Sequence, residues 1–160
     1  IRDPELVRIK PLVSKGLARL RDTGYKFFVM TNQSGIARGL IRPEDLIRVN
    51  DRLSELLLED GIQIEKFYVC PHQDSDQCEC RKPRPGLFER FFSEHDCVPE
   101  DCFAIGDKIR DIEAAGTVPG ILLANKKTVA VNCVGPQNLK YCAANMMDAA
   151  DFILSTQKGE

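Results

Sequence analysis

Residues Ile64 to Gly86 read IEKFYVCPHQDSDQCECRKPRPG. The run Ile64 to Val69 is short and largely apolar, which predicts a strand, and it delivers the chain directly into a cysteine-rich loop. That loop holds Cys70, His72, Cys78 and Cys80. Three thiols and an imidazole are enough to complete a tetrahedral zinc shell. The spacing C-x-H followed by C-x-C is tighter than the common C-x2-C knuckle, yet a loop of this length can fold four donors onto one ion. The plain alternative is a cysteine-rich turn without metal. Against it, the chain has two histidines and one falls inside the cluster. Closing a structural zinc site contributes on the order of 10 kcal/mol of apparent folding free energy. The loop 70–80 is therefore expected to be ordered by metal, and so to order Arg81 and Lys82, which follow the last ligand and are flanked by Pro83 and Pro85.

Working outward, strands and helices alternate. Pro11 to Asp22 carries Leu12, Val13, Leu17 and Leu20 near helical spacing, with Gly24 placed to stop the helix. Lys26 to Met30 is a continuous apolar run suited to a strand buried on both faces. Pro43 opens a long amphipathic helix with Leu46, Val49, Leu53, Leu56 and Leu57 on one side, ended by Gly61. A helix is expected over Leu87 to His95, a strand over Phe103 to Ile105, a helix over Ile109 to Ala115 and a strand over Ile121 to Ala124. Ala150 to Leu154 reads as a short final strand, and Lys126 to Met147 receives no assignment. This rhythm predicts an α/β fold with a mainly parallel sheet, one domain over residues 1–160.

The chain has 160 residues, 43% hydrophobic and 29% charged, with a formal net charge of -2, which argues against a general nucleic-acid binder. No apolar run approaches a membrane span and no signal-peptide pattern opens the chain. Seven cysteines form no framework spacing. Three are expected on metal, with Cys97, Cys102, Cys133 and Cys142 as buried or idle thiols of a cytoplasmic protein.

In open α/β sheets, ligands bind beyond the carboxyl ends of the strands. Three polar groups fall at such ends. Thr31, followed by Asn32, Gln33, Ser34 and Gly35, can offer hydroxyls and successive backbone N–H groups to a phosphate. Lys82 supplies a point charge after the next strand. Asp107, ending the third, suits Mg2+, a hard ion that takes one or two carboxylates with phosphate and water oxygens. Each has a plainer reading: Thr31 as a loop cap, Lys82 as a solvated charge, Asp107 as a helix N-cap.

The segments TNQSGIARG (Thr31 to Gly39), CPH with CECRKPRPG (Cys70 to Gly86) and GDKIRDIEAAG (Gly106 to Gly116) resemble the haloacid dehalogenase (HAD) superfamily. They are most similar to its zinc-containing heptose-bisphosphate phosphatases and the related histidinol-phosphatases, with the wording TNQSG leaning toward the former. The resemblance implies a Rossmann-like HAD fold with an inserted zinc loop and Mg2+-dependent hydrolysis of a phosphate monoester through an aspartyl-phosphate. By it, Thr31 grips the phosphate, Lys82 neutralises nucleophile and phosphate, and Asp107 ligates Mg2+. Asn32, Gln33, Ser34, Arg81, Lys82 and Lys108 line the substrate side. The implied partner is a small phosphorylated metabolite, with neither nucleic acid nor membrane; the sequence does not give the oligomeric state.

The superfamily's nucleophile is the first Asp of a D-x-D-G-T motif ending an N-terminal strand, and this sequence has no such motif. Its one D-x-D, Asp74-Ser75-Asp76, lies inside the zinc loop and lacks the Gly-Thr. The family pattern places the missing central strand just upstream of Ile1, so the expectation is a fragment of an active phosphatase, inactive alone. Loss of a covalent nucleophile commonly costs about a millionfold in kcat. Two readings of other classes stand beside it: a non-catalytic phosphate-binding relative, and a zinc-stabilised module whose Arg81, Lys82 and Arg84 meet an acidic partner. A polynucleotide 3'-phosphatase also belongs to the superfamily, but the chain shows no basic track.

Overall fold

The computed structural model describes residues 2–124 and 134–157. Its contacts fall into two compact units, one up to Arg81 and one from Lys82 onward. All paired strands run parallel, in a two-stranded sheet of order β1-β2 and a three-stranded sheet of order β3-β4-β5. The α/β architecture with parallel sheets is the one expected.

In the first unit, α1 (Val13–Arg21) buries Leu20, and the chain reverses at Gly24, whose φ of +93° suits a residue without a Cβ. β1 (Phe27–Asn32) follows, half-buried along its whole length. Burial on both faces was expected; the difference follows from its place in a sheet of two strands. α2 (Pro43–Leu58) starts with Pro at its first turn, buries Leu46 and Leu57, and closes at Gly61, φ +71°. A Cβ at Gly61 would lie 2.7 Å from Arg21 Nη1, the atom that donates to the Asp60 carbonyl and ties α1 to the end of α2. β2 (Ile64–Cys70) then pairs with β1, setting Thr31 beside Val69 and Asn32 beside Cys70. Tyr68 and Cys70 are fully buried.

In the second unit, α3 (Gly86–Glu94) buries Leu87 and Phe91, while Phe88 and Phe92 pack against Ala104, Ala115 and Val118. β3 (Ala104–Gly106), α4 (Ile109–Ala114) and β4 (Gly120–Leu123) form a parallel crossover. The helix seats on the strand at Gly120, where a Cβ would collide with Cγ2 of Ile112, itself fully buried. Asn138 holds this joint from inside. Its side-chain nitrogen donates to the carbonyls of Ile112 and Val118, both at 2.9 Å, and its own carbonyl accepts from the Gly120 N–H.

Two expectations fail here. Ala150 to Leu154 is not a strand but part of α5 (Met146–Thr156), which Asn145 caps by accepting from the N–H groups of Met147 and Asp148. A short apolar run does not discriminate strand from buried helix, and Ala149, Ala150 and Ile153 bury at helical spacing. The strand in this region is β5 (Leu139–Ala143), inside the unassigned stretch. Residues 126–133 of that stretch lie outside the described residues, as does the expected idle thiol Cys133. Cys142, on β5, is disulfide-bonded rather than idle. Cys97 and Cys102 are free thiols, and burial followed by the neighbouring Cys97 pushes Cys102 up to about 12. Among the described residues, no helix is long and apolar enough to cross a membrane.

Candidate phosphate and metal sites

β2 carries Cys70 to the end of the first sheet, where the chain turns through the 3-10 segment Asp74–Asp76 and returns with Cys78 and Cys80. The four donor atoms lie within 4.8 Å of one another. Cys70 Sγ is 3.7 Å from His72 Nδ1 and 3.6 Å from Cys78 Sγ; Cys80 Sγ is 3.3 Å from His72 Nδ1 and 3.6 Å from Cys78 Sγ. Zinc bonds of about 2.3 Å to sulfur and about 2.0 Å to nitrogen imply tetrahedral edges of roughly 3.5 to 3.8 Å. The four donor separations thus have the size expected of a four-coordinate site. Burial, then the Cys80 thiol, pushes Cys70 up to about 12, and burial raises Cys80 as well, whereas at Cys78 burial is outweighed by hydrogen bonds with Cys70 and Cys80, which lower it. A bound cation favours the thiolate form.

The Asp74-Ser75-Asp76 segment is engaged in hydrogen bonds within the loop. Asp76 Oδ2 accepts from the Gln73 N–H at 3.0 Å. Asp74 receives Arg81, Nε to Oδ1 at 2.5 Å and Nη2 to Oδ2 at 3.4 Å. Arg81 Nη1 also donates to the His72 carbonyl at 3.2 Å. The guanidinium therefore straps the metal loop, a use the sequence did not suggest.

The Thr31 to Gly39 segment is knitted to the same loop. The Gln33 N–H donates to the Cys70 carbonyl at 2.7 Å and the Ala37 N–H to the Pro71 carbonyl at 3.2 Å. Gly35 is buried, and a Cβ there would meet Ile41 Cδ1 at 2.7 Å. Gln33 Nε2 donates to Thr31 Oγ1 at 3.0 Å. Arg38 grips Ser34 through Nε to its carbonyl at 3.3 Å and Nη2 to its hydroxyl at 3.2 Å. Because the N–H groups of Gln33, Ile36, Ala37 and Arg38 are engaged with carbonyls, the expected row of presented amides is narrowed. The hydroxyls of Thr31 and Ser34 gain in weight accordingly.

In the second unit, Lys82 is no solvated charge. Its Nζ lies 2.7 Å from Asp111 Oδ1, with the two side chains 10% and 15% exposed. Asp111 rides on the carboxyl end of β3: a Cβ on Gly106 would collide with its Cβ and stand 3.0 Å from Oδ2. Lys82 is thus drawn to the strand end that Asp107 follows. Asp107 and Lys108 are exposed. The N-cap position of α4 is Lys108, not Asp107. An exposed carboxylate just past a parallel strand fits a single-carboxylate Mg2+ ligand. Asp111 and Arg38 were absent from the sequence reading. The signal for Asp111 was its place one helical turn beyond Asp107.

The parallel α/β fold, with these groups at its strand ends, defines a hydrolase domain of HAD type. The polynucleotide kinase 3 phosphatase family model matches residues 4–132. The chain is 34% identical to the D-glycero-beta-D-manno-heptose-1,7-bisphosphate 7-phosphatase of Neisseria meningitidis over 69% of its own length and 60% of the relative's. With the same enzyme of Haemophilus ducreyi it shares 30% identity over 88% of the chain and 82% of the relative. The crystal structure of D,D-heptose 1,7-bisphosphate phosphatase from B. bronchiseptica, complexed with magnesium and phosphate, superposes with a TM-score of 0.87 at 27% identity, covering 98% of this chain and 89% of that one. The chain belongs to the HAD phosphatases, in the polynucleotide kinase 3 phosphatase family and the heptose-bisphosphate phosphatase subgroup. It spans about three-fifths of the Neisseria relative that it matches.

Proposed function

We propose that the protein acts in hydrolysis of a phosphate monoester on a small soluble metabolite, a heptose 1,7-bisphosphate being the favoured substrate. The observation that carries this reading is the buried Lys82–Asp111 pair at the carboxyl end of β3, beside Asp107. A half-desolvated ammonium there stabilises the negative charge of a phosphoryl group far better than one in water. Within the first unit, Thr31 is the proposed hydroxyl donor to phosphate, with Ser34, Asn32 and Gln33 beside it on the loop. Arg81 in the first unit and Lys108 in the second are each proposed as substrate-binding cations, Arg81 in addition to its strap on Asp74. Asp107 would hold Mg2+, whose charge neutralises phosphate oxygens. Zinc would sit on Cys70, His72, Cys78 and Cys80 in a closed, structural role. No D-x-D-G-T carboxylate pair is present in the 160 residues, so these groups bind and polarise, and by themselves they are expected not to turn substrate over.

One domain over residues 1–160 and a cytoplasmic location are also proposed; the free thiols of Cys97 and Cys102 favour that location and the Cys142 disulfide opposes it, and cell fractionation decides. Inorganic phosphate release from heptose 1,7-bisphosphate, histidinol phosphate and a 3'-phosphorylated oligonucleotide, each with Mg2+, tests the substrate. The heptose should be preferred in the intact protein. Preference for histidinol phosphate moves the reading to its runner-up. Preference for the oligonucleotide overturns the claim that nucleic acid is not a partner. Absence of Mg2+-dependent phosphate binding leaves the zinc-stabilised module.

A further inference from the structure

Gln33 was expected to line the substrate side, yet its side chain meets Thr31. The amide nitrogen Nε2 donates to Thr31 Oγ1 at 3.0 Å in a part-buried setting. A threonine hydroxyl has one proton and two lone pairs, and an amide NH2 can only donate. With one lone pair filled by Gln33, the Thr31 proton has nowhere to go on that partner and must point elsewhere. Accepting one hydrogen bond also polarises the hydroxyl and strengthens the bond it donates. The arrangement is fixed from below. The Gln33 N–H is tied to the carbonyl of the fully buried Cys70, and the Gln33 carbonyl accepts from the Ile36 N–H at 3.0 Å.

We propose that Gln33 is a positioning residue that sets the Thr31 hydroxyl as a proton donor toward the phosphoryl group. The inference rests on the proposed phosphate-binding role of Thr31. It predicts that Gln33 acts through Thr31 and not by touching substrate, which a double-mutant cycle distinguishes.

The experiment titrates inorganic phosphate into the full-length protein by calorimetry, with thermal melts confirming folding. Gln33→Met, close in volume but without polar atoms, should weaken phosphate binding about three- to tenfold, the scale of one hydrogen bond. In a Thr31→Val background the same change should alter binding by less than about twofold, since the hydroxyl is gone. Gln33→Glu should be worse than Gln33→Met, because its carboxylate takes the Thr31 proton for itself. If Gln33→Met fails to fold, Gln33→Glu with and without Thr31→Val makes the same comparison. Equal losses in both backgrounds, no loss at all, or phosphate affinity undiminished in Gln33→Glu would each overturn the proposal. Wild-type protein that binds no phosphate would remove the proposed function as well, an outcome distinct from binding without coupling.

Discussion

Lys82 Nζ and Asp111 Oδ1 stand 2.7 Å apart with both side chains largely withdrawn from solvent. A pair so placed is costly to break, because removing one partner strands the other charge in a poorly solvated site. Asp111→Ala should therefore destabilise the fold by about 3 kcal/mol and weaken phosphate binding. Adding Lys82→Met should recover stability without recovering binding. Urea unfolding and phosphate titration of the single and double variants check both halves.

The same strand end has no spare volume. A Cβ on Gly106 runs into Asp111. Gly106→Ala should cost about 2 kcal/mol, in the range for overpacking, and should displace Asp111 enough to loosen Lys82. Gly24→Ala, where a Cβ meets nothing within 4 Å, probes positive φ alone. Of the two, only Gly106→Ala should impair phosphate affinity.

Chelation reaches further than the metal loop. The Cys70 and Pro71 carbonyls hold the N–H groups of Gln33 and Ala37, so an unbound metal loop should release the Thr31 segment. Elemental analysis should find about one zinc per chain, as a single four-donor site requires. Its removal, or Cys78→Ser, should lower Tm and also weaken phosphate binding. A loss of about 3 kcal/mol corresponds to roughly 6 to 12 °C in a chain of this size.

Asp45, in the first turn of α2, is held well below the usual carboxylate range, by hydrogen bonds from Arg42 and then Arg48. A carboxylate depressed in the folded state contributes stability above its unfolded value of about 3.9, and that contribution is lost as pH falls through the folded value. Wild type should therefore melt above Asp45→Asn at neutral pH, with a gap that closes as pH drops below about 4. Melting curves of both proteins across that window check the sign.

Much of the fold was legible in residues whose constraints are local. Pro43 and Gly61 bracket α2, and Gly24 stops α1, because φ and the missing N–H act at single positions. The Cys/His cluster was legible because its four donors are neighbours in sequence. What stayed hidden depends on partners distant in the chain. Asp111 acquires meaning only once Gly106 admits it and Lys82, 29 residues earlier by numbering, reaches it. α5 was misread because Ala-Asp-Phe-Ile-Leu suits either element, while the deciding Asn145 cap lies outside that run. The strap from Arg81 to Asp74 and the His72 carbonyl was likewise not legible, because it depends on how the loop folds back.

In the proposed function, the carboxyl end of β3 receives a phosphoryl group with Mg2+ on Asp107. Asp107 is exposed and Lys108, not Asp107, holds the N-cap position of α4, so Asp107→Asn tests the carboxylate's charge, with thermal melts confirming folding. Phosphate affinity of wild type and Asp107→Asn, measured by calorimetry with and without Mg2+, is the most direct test. Mg2+ should tighten phosphate binding to wild type and leave the variant unchanged. Equal tightening in both proteins would contradict the assignment of Asp107 and, with it, this site.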